Sequence, residues 1–206
     1  MSKYYYLFFS MFFLSISSQN DVENIKKKYR SVNSYNLNYD LIVTTNKDNE
    51  DVRIIEESGT MYGSTSSYFI KHKNMDIISD GEKIYNIIHE IKEINIIEYS
   101  ENNQWNPINI FKTFLDKINS SVIKYEKDYI SINFFLEELN RKYIFYLDKN
   151  YNIFELRMKT NESKSSTIIL INEIFFTNKI YNIGFDRSAY KDYYLNNLWK
   201  FSTGIS

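Results

Sequence analysis

The sequence predicts a mainly β, α+β fold: about eleven short strands and two helices. Three observations predict it. Over most of the chain, apolar residues alternate with polar ones, the period of a half-buried strand. Short polar turns separate these stretches, and short connections make neighbouring strands antiparallel. Only two segments carry a helical period instead. An antiparallel sheet of that many strands curls or closes on itself.

The length of 206 residues suits one domain plus a removable segment. With 43% hydrophobic and 25% charged residues, the chain can bury a core and is not disordered in composition. Aromatic residues and isoleucine are abundant, which favours strands. The formal net charge of -1 gives no electrostatic case for nucleic acid as a partner. The chain has no cysteine, which excludes disulfides, thiolate catalysis, cysteine metal sites and a lipid-modified N-terminal cysteine.

The first element is a targeting segment. Lys3 precedes an uncharged run from Tyr4 to Ile16, followed by the small residues Ser17 and Ser18. This is the pattern of a cleaved secretory signal peptide. The run is shorter than the roughly 20 residues a spanning helix needs. The expected organisation is therefore a signal peptide over 1–18 and one domain over 19–206, located outside the cytoplasm.

Next comes a short amphipathic helix over Asn20–Val32. Val22, Ile25, Tyr29 and Val32 share one face, and Asn20 with Glu23 has capping-box spacing. The period then changes to two. Leu37, Tyr39, Leu41 and Val43 form one face of a strand. Val52–Glu57 and Ser58–Gly63 read as two strands or one bent strand, and Tyr68–Lys73 and Met75–Ser79 follow. Asp80-Gly81 is a hairpin signal leading into Lys83–Glu90, which pairs with Glu93–Tyr99.

The second helix opens on the only proline of the chain. Asn106 is a good N-cap, and Pro107 suits the first helical position. Over Asn106–Ile118 the residues Ile108, Ile110, Phe111, Phe114, Leu115 and Ile118 fall on one face. Strands resume with Val122–Glu126, Tyr129–Leu136, Tyr143–Leu147, Asn152–Lys159 and Thr167–Phe176. The tail beyond Asn178 shows no regular element, only an aromatic cluster that includes Tyr190, Tyr193, Tyr194 and Trp199.

No catalytic or metal-binding pattern emerges, and no cofactor motif. His72 and His89 lack partners at ligand spacing and are expected on the surface. Adjacent carboxylates such as Glu56-Glu57 point to opposite faces of a strand. No phosphate-binding loop or nucleophile motif occurs. The reading is a binding protein, not an enzyme: a curved sheet with an amphipathic helix over it, enclosing either a hydrophobic cavity or a packed core.

Several stretches, in order, resemble the outer-membrane lipoprotein carrier family, the LolA-type periplasmic chaperones. After the signal segment, a helix ends in Tyr29-Arg30-Ser31 and leads to the strand Leu37–Thr44. Gly59-Thr60-Met61-Tyr62 resembles the family's Gly-x-Leu-aromatic strand. Ile78-Ser79-Asp80-Gly81-Glu82-Lys83-Ile84-Tyr85 resembles its Ser-Asp-Gly hairpin. Asn106-Pro107 opens a helix where the family has a Pro-led lid, and Phe185-Asp186 resembles its Phe-rich terminal segment.

The resemblance implies a curved, unclosed antiparallel β-barrel with an N-terminal helix and a central lid helix over an apolar cavity. It implies a monomer that takes acylated lipoproteins from an inner-membrane lipoprotein-releasing ABC transporter and passes them to an outer-membrane acceptor. The expected acyl-chain-binding residues are Tyr39, Leu41, Tyr62, Phe69, Ile108, Phe111, Phe114 and Leu115. One departure stands out. Where the best-known members have an Arg that latches the lid, this chain has Thr65, which cannot form a charged latch. The competing reading is a lipid- or protein-sensing regulatory module on the same scaffold.

Overall fold

The computed structural model of the chain describes residues 20–47, 50–64, 66–99, 107–160, 165–177 and 181–197. The signal segment Met1–Ser18, Thr65, the polar loop before the central helix and the chain end with Trp199 lie outside the described residues.

Helix α1 spans residues 20–29. A long hairpin follows, of β1 (Ser34–Lys47) and β2 (Glu50–Ser64). The meander β3 (Ser67–Lys71), β4 (Met75–Asp80), β5 (Lys83–Ile88) and β6 (Glu93–Glu98) continues from it. Helix α2 (Pro107–Lys117) leads through a short 3-10 turn to β7 (Val122–Tyr125), β8 (Ile130–Leu136), β9 (Arg141–Leu147) and β10 (Ile153–Thr160). Then come the long β11 (Ser165–Thr177) and a short β12 (Tyr194–Asn197).

All twelve strands belong to one sheet, in the order β12-β6-β5-β4-β3-β2-β1-β11-β10-β9-β8-β7. Every pairing is antiparallel except β12 on β6. The sheet is curved and its two ends, β12 and β7, do not meet, so the barrel is unclosed. Bulges help to bend it. Asn172 is an extra residue on β11 opposite the Asn38–Tyr39 step, and Phe154 is an extra residue on β10 opposite Tyr146–Leu147.

The fold differs from the sequence expectation in the strand count, twelve against about eleven. Val52–Glu57 and Ser58–Gly63 are one strand, β2. The added strand is β12, in the tail where no element was expected. Its four residues are too short to show a period, and its position depends on the edge of β6 that it pairs with.

The turn signals map onto the structure directly. Asp80 Oδ1 accepts the backbone N–H groups of Glu82 (2.9 Å) and Lys83 (2.8 Å), and Tyr85 donates to Oδ2 (3.1 Å). Gly81 sits at φ +97°, a conformation that other residues rarely adopt.

Three apolar clusters follow from the alternation. One joins the buried faces of α1 and α2 to β8, β9 and β10. A second lies on β1, β2 and β3 around Tyr35, Leu37, Tyr68 and Ile70. The third lies on the opposite, convex face, where Ile87 and Ile94 are covered by the tail residues Ile183, Phe185, Tyr190 and Tyr193. The tail is therefore a belt over the back of the sheet. Phe185 stacks on Tyr85 at 4.2 Å, and Arg187 donates to the Tyr193 carbonyl at 2.7 Å.

Helix α1 is tied to the β9–β10 turn. The Tyr29 hydroxyl donates to the Tyr151 carbonyl (2.6 Å) and accepts from the Ile153 N–H (3.1 Å). Lys28 caps the Asn150 carbonyl at 2.8 Å. Burial pushes the Tyr29 hydroxyl pKa up to about 12, so it remains a donor across the ordinary pH range.

Candidate functional site

The concave face holds a cavity of about 630 Å³ beneath α2. Strand pairing explains how its wall is built. Leu37, Met61, Ile70, Ile77, Asn86 and Asn95 stand opposite one another in succession from β1 to β6. All six line the cavity, because a row of directly paired residues points to the same side of a sheet. The other wing contributes Phe145, Leu156, Met158, Ile169 and Ile171. Side chains from both wings reach one space only because the sheet curls.

Ile110 and Phe111 of α2 form the roof. The helix is held by aromatic contacts. Phe111 lies 6.0 Å from Tyr29 in a stacked arrangement and 5.7 Å from Phe176 edge-on. Phe114 stacks on Phe145 at 4.3 Å. Among the described residues no ion pair joins α2 to the sheet.

One polar pair is set into this apolar wall. The Tyr39 hydroxyl is 2.8 Å from His72 Nε2, and both side chains are buried. Burial raises the Tyr39 pKa, so the phenol keeps its proton, and the Glu57 carboxylate beside Nδ1 favours the tautomer in which Nε2 accepts from the phenol. The imidazole proton then belongs on Nδ1, which faces Glu57 at 3.6 Å, too far for a hydrogen bond. Burial lowers the His72 pKa, against the opposing pull of Glu57 and Asp76, and keeps the ring neutral. The expectation of a surface position for His72 is thus overturned: it is 8% exposed. Its flanking lysines point away from the cavity side, as alternation along a strand requires.

His89 is half-buried on the convex side. Its Nε2 lies 3.2 Å from Asp76 Oδ2 and its Nδ1 3.0 Å from the Tyr193 hydroxyl. This contact fastens the tail. No group of three or more His, Asp or Glu residues is placed to hold a metal ion among the described residues.

The residues expected to bind acyl chains divide into three groups. Tyr39, Leu41 and Phe111 line the cavity. Phe114 and Leu115 belong to the cluster beneath the helices instead, with Phe114 fully buried against Phe145. Tyr62 and Phe69 do not line the cavity. They pair across β2 and β3 on the convex face, 5.3 Å apart, with Tyr181 5.4 Å from Tyr62. The reason is the strand period: Met61 and Ile70 take the inward positions, so their neighbours must face out. The side chain of Ile108 lies outside what the structure describes.

The sequence reading missed most of the wall, including Met61, Ile70, Ile77, Asn86 and Asn95. Each lies at an inward position of a strand, but the inward face is known only once the register is known.

No family model matches the chain, and no curated protein matches it. Among solved structures, the chain is similar to an uncharacterized conserved protein from Thermus thermophilus. The identity is 8%, with 88% of this chain and 99% of that one covered, at a TM-score of 0.47. A DUF1329 family protein from Desulfovibrio piger matches at 9% identity, with 84% and 98% covered and a TM-score of 0.41. A Vibrio parahaemolyticus domain, provisionally described as an outer membrane lipoprotein-sorting protein, matches at 9% identity, with 85% and 97% covered and a TM-score of 0.38. Similarity this low does not bear on function.

Proposed function

We propose that this protein is a carrier for the acyl chains of outer-membrane lipoproteins. It receives them from an inner-membrane ABC transporter, holds them in the cavity beneath α2 and passes them on towards the outer membrane. The segment Met1–Ser18 would direct it to the periplasm. The observation that carries this reading is the apolar cavity of about 630 Å³, roofed by a helix whose apolar face packs on the sheet, with Phe111 and Phe114 stacked on Tyr29 and Phe145.

The energetics suit a carrier. Burial contributes about 0.8 kcal/mol per methylene, so a chain of about sixteen carbons gains roughly 13 kcal/mol on leaving water. Such a chain does not cross an aqueous space unshielded. No bond is made or broken in this scheme, and release requires an acceptor that is more hydrophobic than the cavity.

The test uses inner-membrane vesicles that carry a labelled lipoprotein and its releasing transporter. With ATP and the purified protein, the label is expected to move into a soluble complex with this chain. Label that stays with the vesicles would refute the carrier role. A complex that forms but never hands its cargo to outer-membrane vesicles would favour the sensing module.

A further inference from the structure

We propose that Asn86 and Asn95 form a polar seat inside the cavity for the uncharged amide or ester that joins an acyl chain to the rest of its carrier molecule. This rests on the carrier reading above and names the part of the cargo the cavity recognises.

The two asparagines are directly opposite on β5 and β6 and both line the cavity. They end the apolar row that begins at Leu37. Directly opposed residues on one face of an antiparallel pair lie about 5 Å apart, so both amides can reach one small group. Neither side chain has a hydrogen-bond partner among the described residues. Each amide presents N–H donors and a carbonyl acceptor. An amide linkage presents the complementary pair, and an ester presents acceptors for the N–H groups.

The charge of the lining decides against an ionised head. Among the described residues the lining includes no Lys or Arg and one carboxylate, Glu98. Its buried imidazole, His72, is kept neutral and is already bonded to Tyr39. A fatty-acid carboxylate or a phosphate would enter with no cation to meet it and Glu98 nearby. A purely hydrocarbon ligand would strip water from both asparagines and replace none of its hydrogen bonds. A neutral amide or ester avoids both penalties.

The experiment measures displacement of an environment-sensitive apolar dye from the mature chain by dodecanamide and by dodecanoate. The wild-type protein is expected to bind dodecanamide about tenfold more tightly. In the Asn86→Leu/Asn95→Leu double variant dodecanamide loses its partners, so the preference is expected to shrink to what Glu98 alone imposes while the dye still binds. Equal affinity for the two probes in the wild type, or a preference undiminished in the variant, would overturn the seat and leave the carrier reading standing. Failure of the wild type to bind the dye or either probe would overturn the carrier reading as well. A second measurement needs no variant. In the ¹⁵N-labelled wild-type protein, the side-chain amide resonances of Asn86 and Asn95 are expected to shift on adding dodecanamide. Resonances that stay in place at saturation would overturn the seat.

Discussion

Gly59 leaves open the space that Tyr39 occupies. The two residues are partners across β1 and β2, and a Cβ at position 59 would lie 2.7 Å from both Cζ and the hydroxyl oxygen of Tyr39. The missing side chain lets the ring cross β2 and reach His72. Gly59→Ala is therefore expected to lower stability by about 1–3 kcal/mol, the usual cost of overpacking a buried site. Urea denaturation checks this. A midpoint unchanged from wild type would mean that the ring moves without loss.

Phe114 and Ile110 separate the stability of helix α2 from the lining of the cavity. Phe114 is fully buried on Phe145, so Phe114→Ala is expected to cost about 3–5 kcal/mol in the urea midpoint analysis. Ile110 is half-buried at the roof of the cavity. Ile110→Asp is expected to weaken binding of an apolar dye at least tenfold with a midpoint near that of wild type, since the carboxylate can turn to solvent in the empty protein. Unchanged dye affinity would remove Ile110 from the roof.

His72 gives the protein a pH dependence whose sign can be stated. Its pKa in the folded protein is below the ordinary value of 6.5, chiefly through burial. The unfolded chain therefore takes up the proton first as pH falls. Stability is fully present above about pH 6.5 and declines below it, until the folded pKa is reached. Urea midpoints measured from about pH 8 to about pH 5 are expected to fall towards acid, and to fall less in His72→Gln. Equal slopes in the two proteins would assign the dependence to other groups.

The tail protects the back of the sheet. Phe185 stacks on Tyr85 and, with Tyr190 and Tyr193, covers Ile87 and Ile94, both fully buried. Phe185→Ala is expected to cost about 1–2 kcal/mol, less than a fully buried Phe because the ring is half-exposed. Amide exchange in β5 and β6 should quicken. Exchange unchanged there would mean that the tail merely rests on the sheet.

Cavity size limits the load. A methylene fills roughly 30 Å³, close to a water's share of the liquid, so a chain of about sixteen carbons needs roughly 500 Å³. One such chain fits in about 630 Å³. Native mass spectrometry with a hexadecanoyl amide is expected to show one bound molecule. Three bound at saturation would mean that the cavity widens.

The local devices were legible in the sequence. The Asp80-Gly81 hairpin needs a carboxylate acceptor and a residue tolerant of positive φ side by side, and both are adjacent in the chain. Helix α2 carries its own period and opens on Pro107, while the cap expected at Asn106 lies outside the described residues. The faces of the strands were less legible. Tyr62 and Phe69 look as apolar as Met61 and Ile70, because β3 and the adjoining end of β2 are covered on both faces, one by the cavity side and one by tail residues. Alternation between polar and apolar residues, the usual guide, is lost in such strands.

The sequence by itself determined the class of the fold, the two helices and most of the turns, since these depend on residues within one or two turns of each other. It also ruled out cysteine chemistry, by composition alone. Tertiary structure decided which apolar residues line the cavity, that His72 is buried on Tyr39, and that the tail joins the sheet. Those outcomes depend on register and curvature across strands distant in sequence. A shift of one residue in pairing would exchange the cavity wall for the back of the sheet.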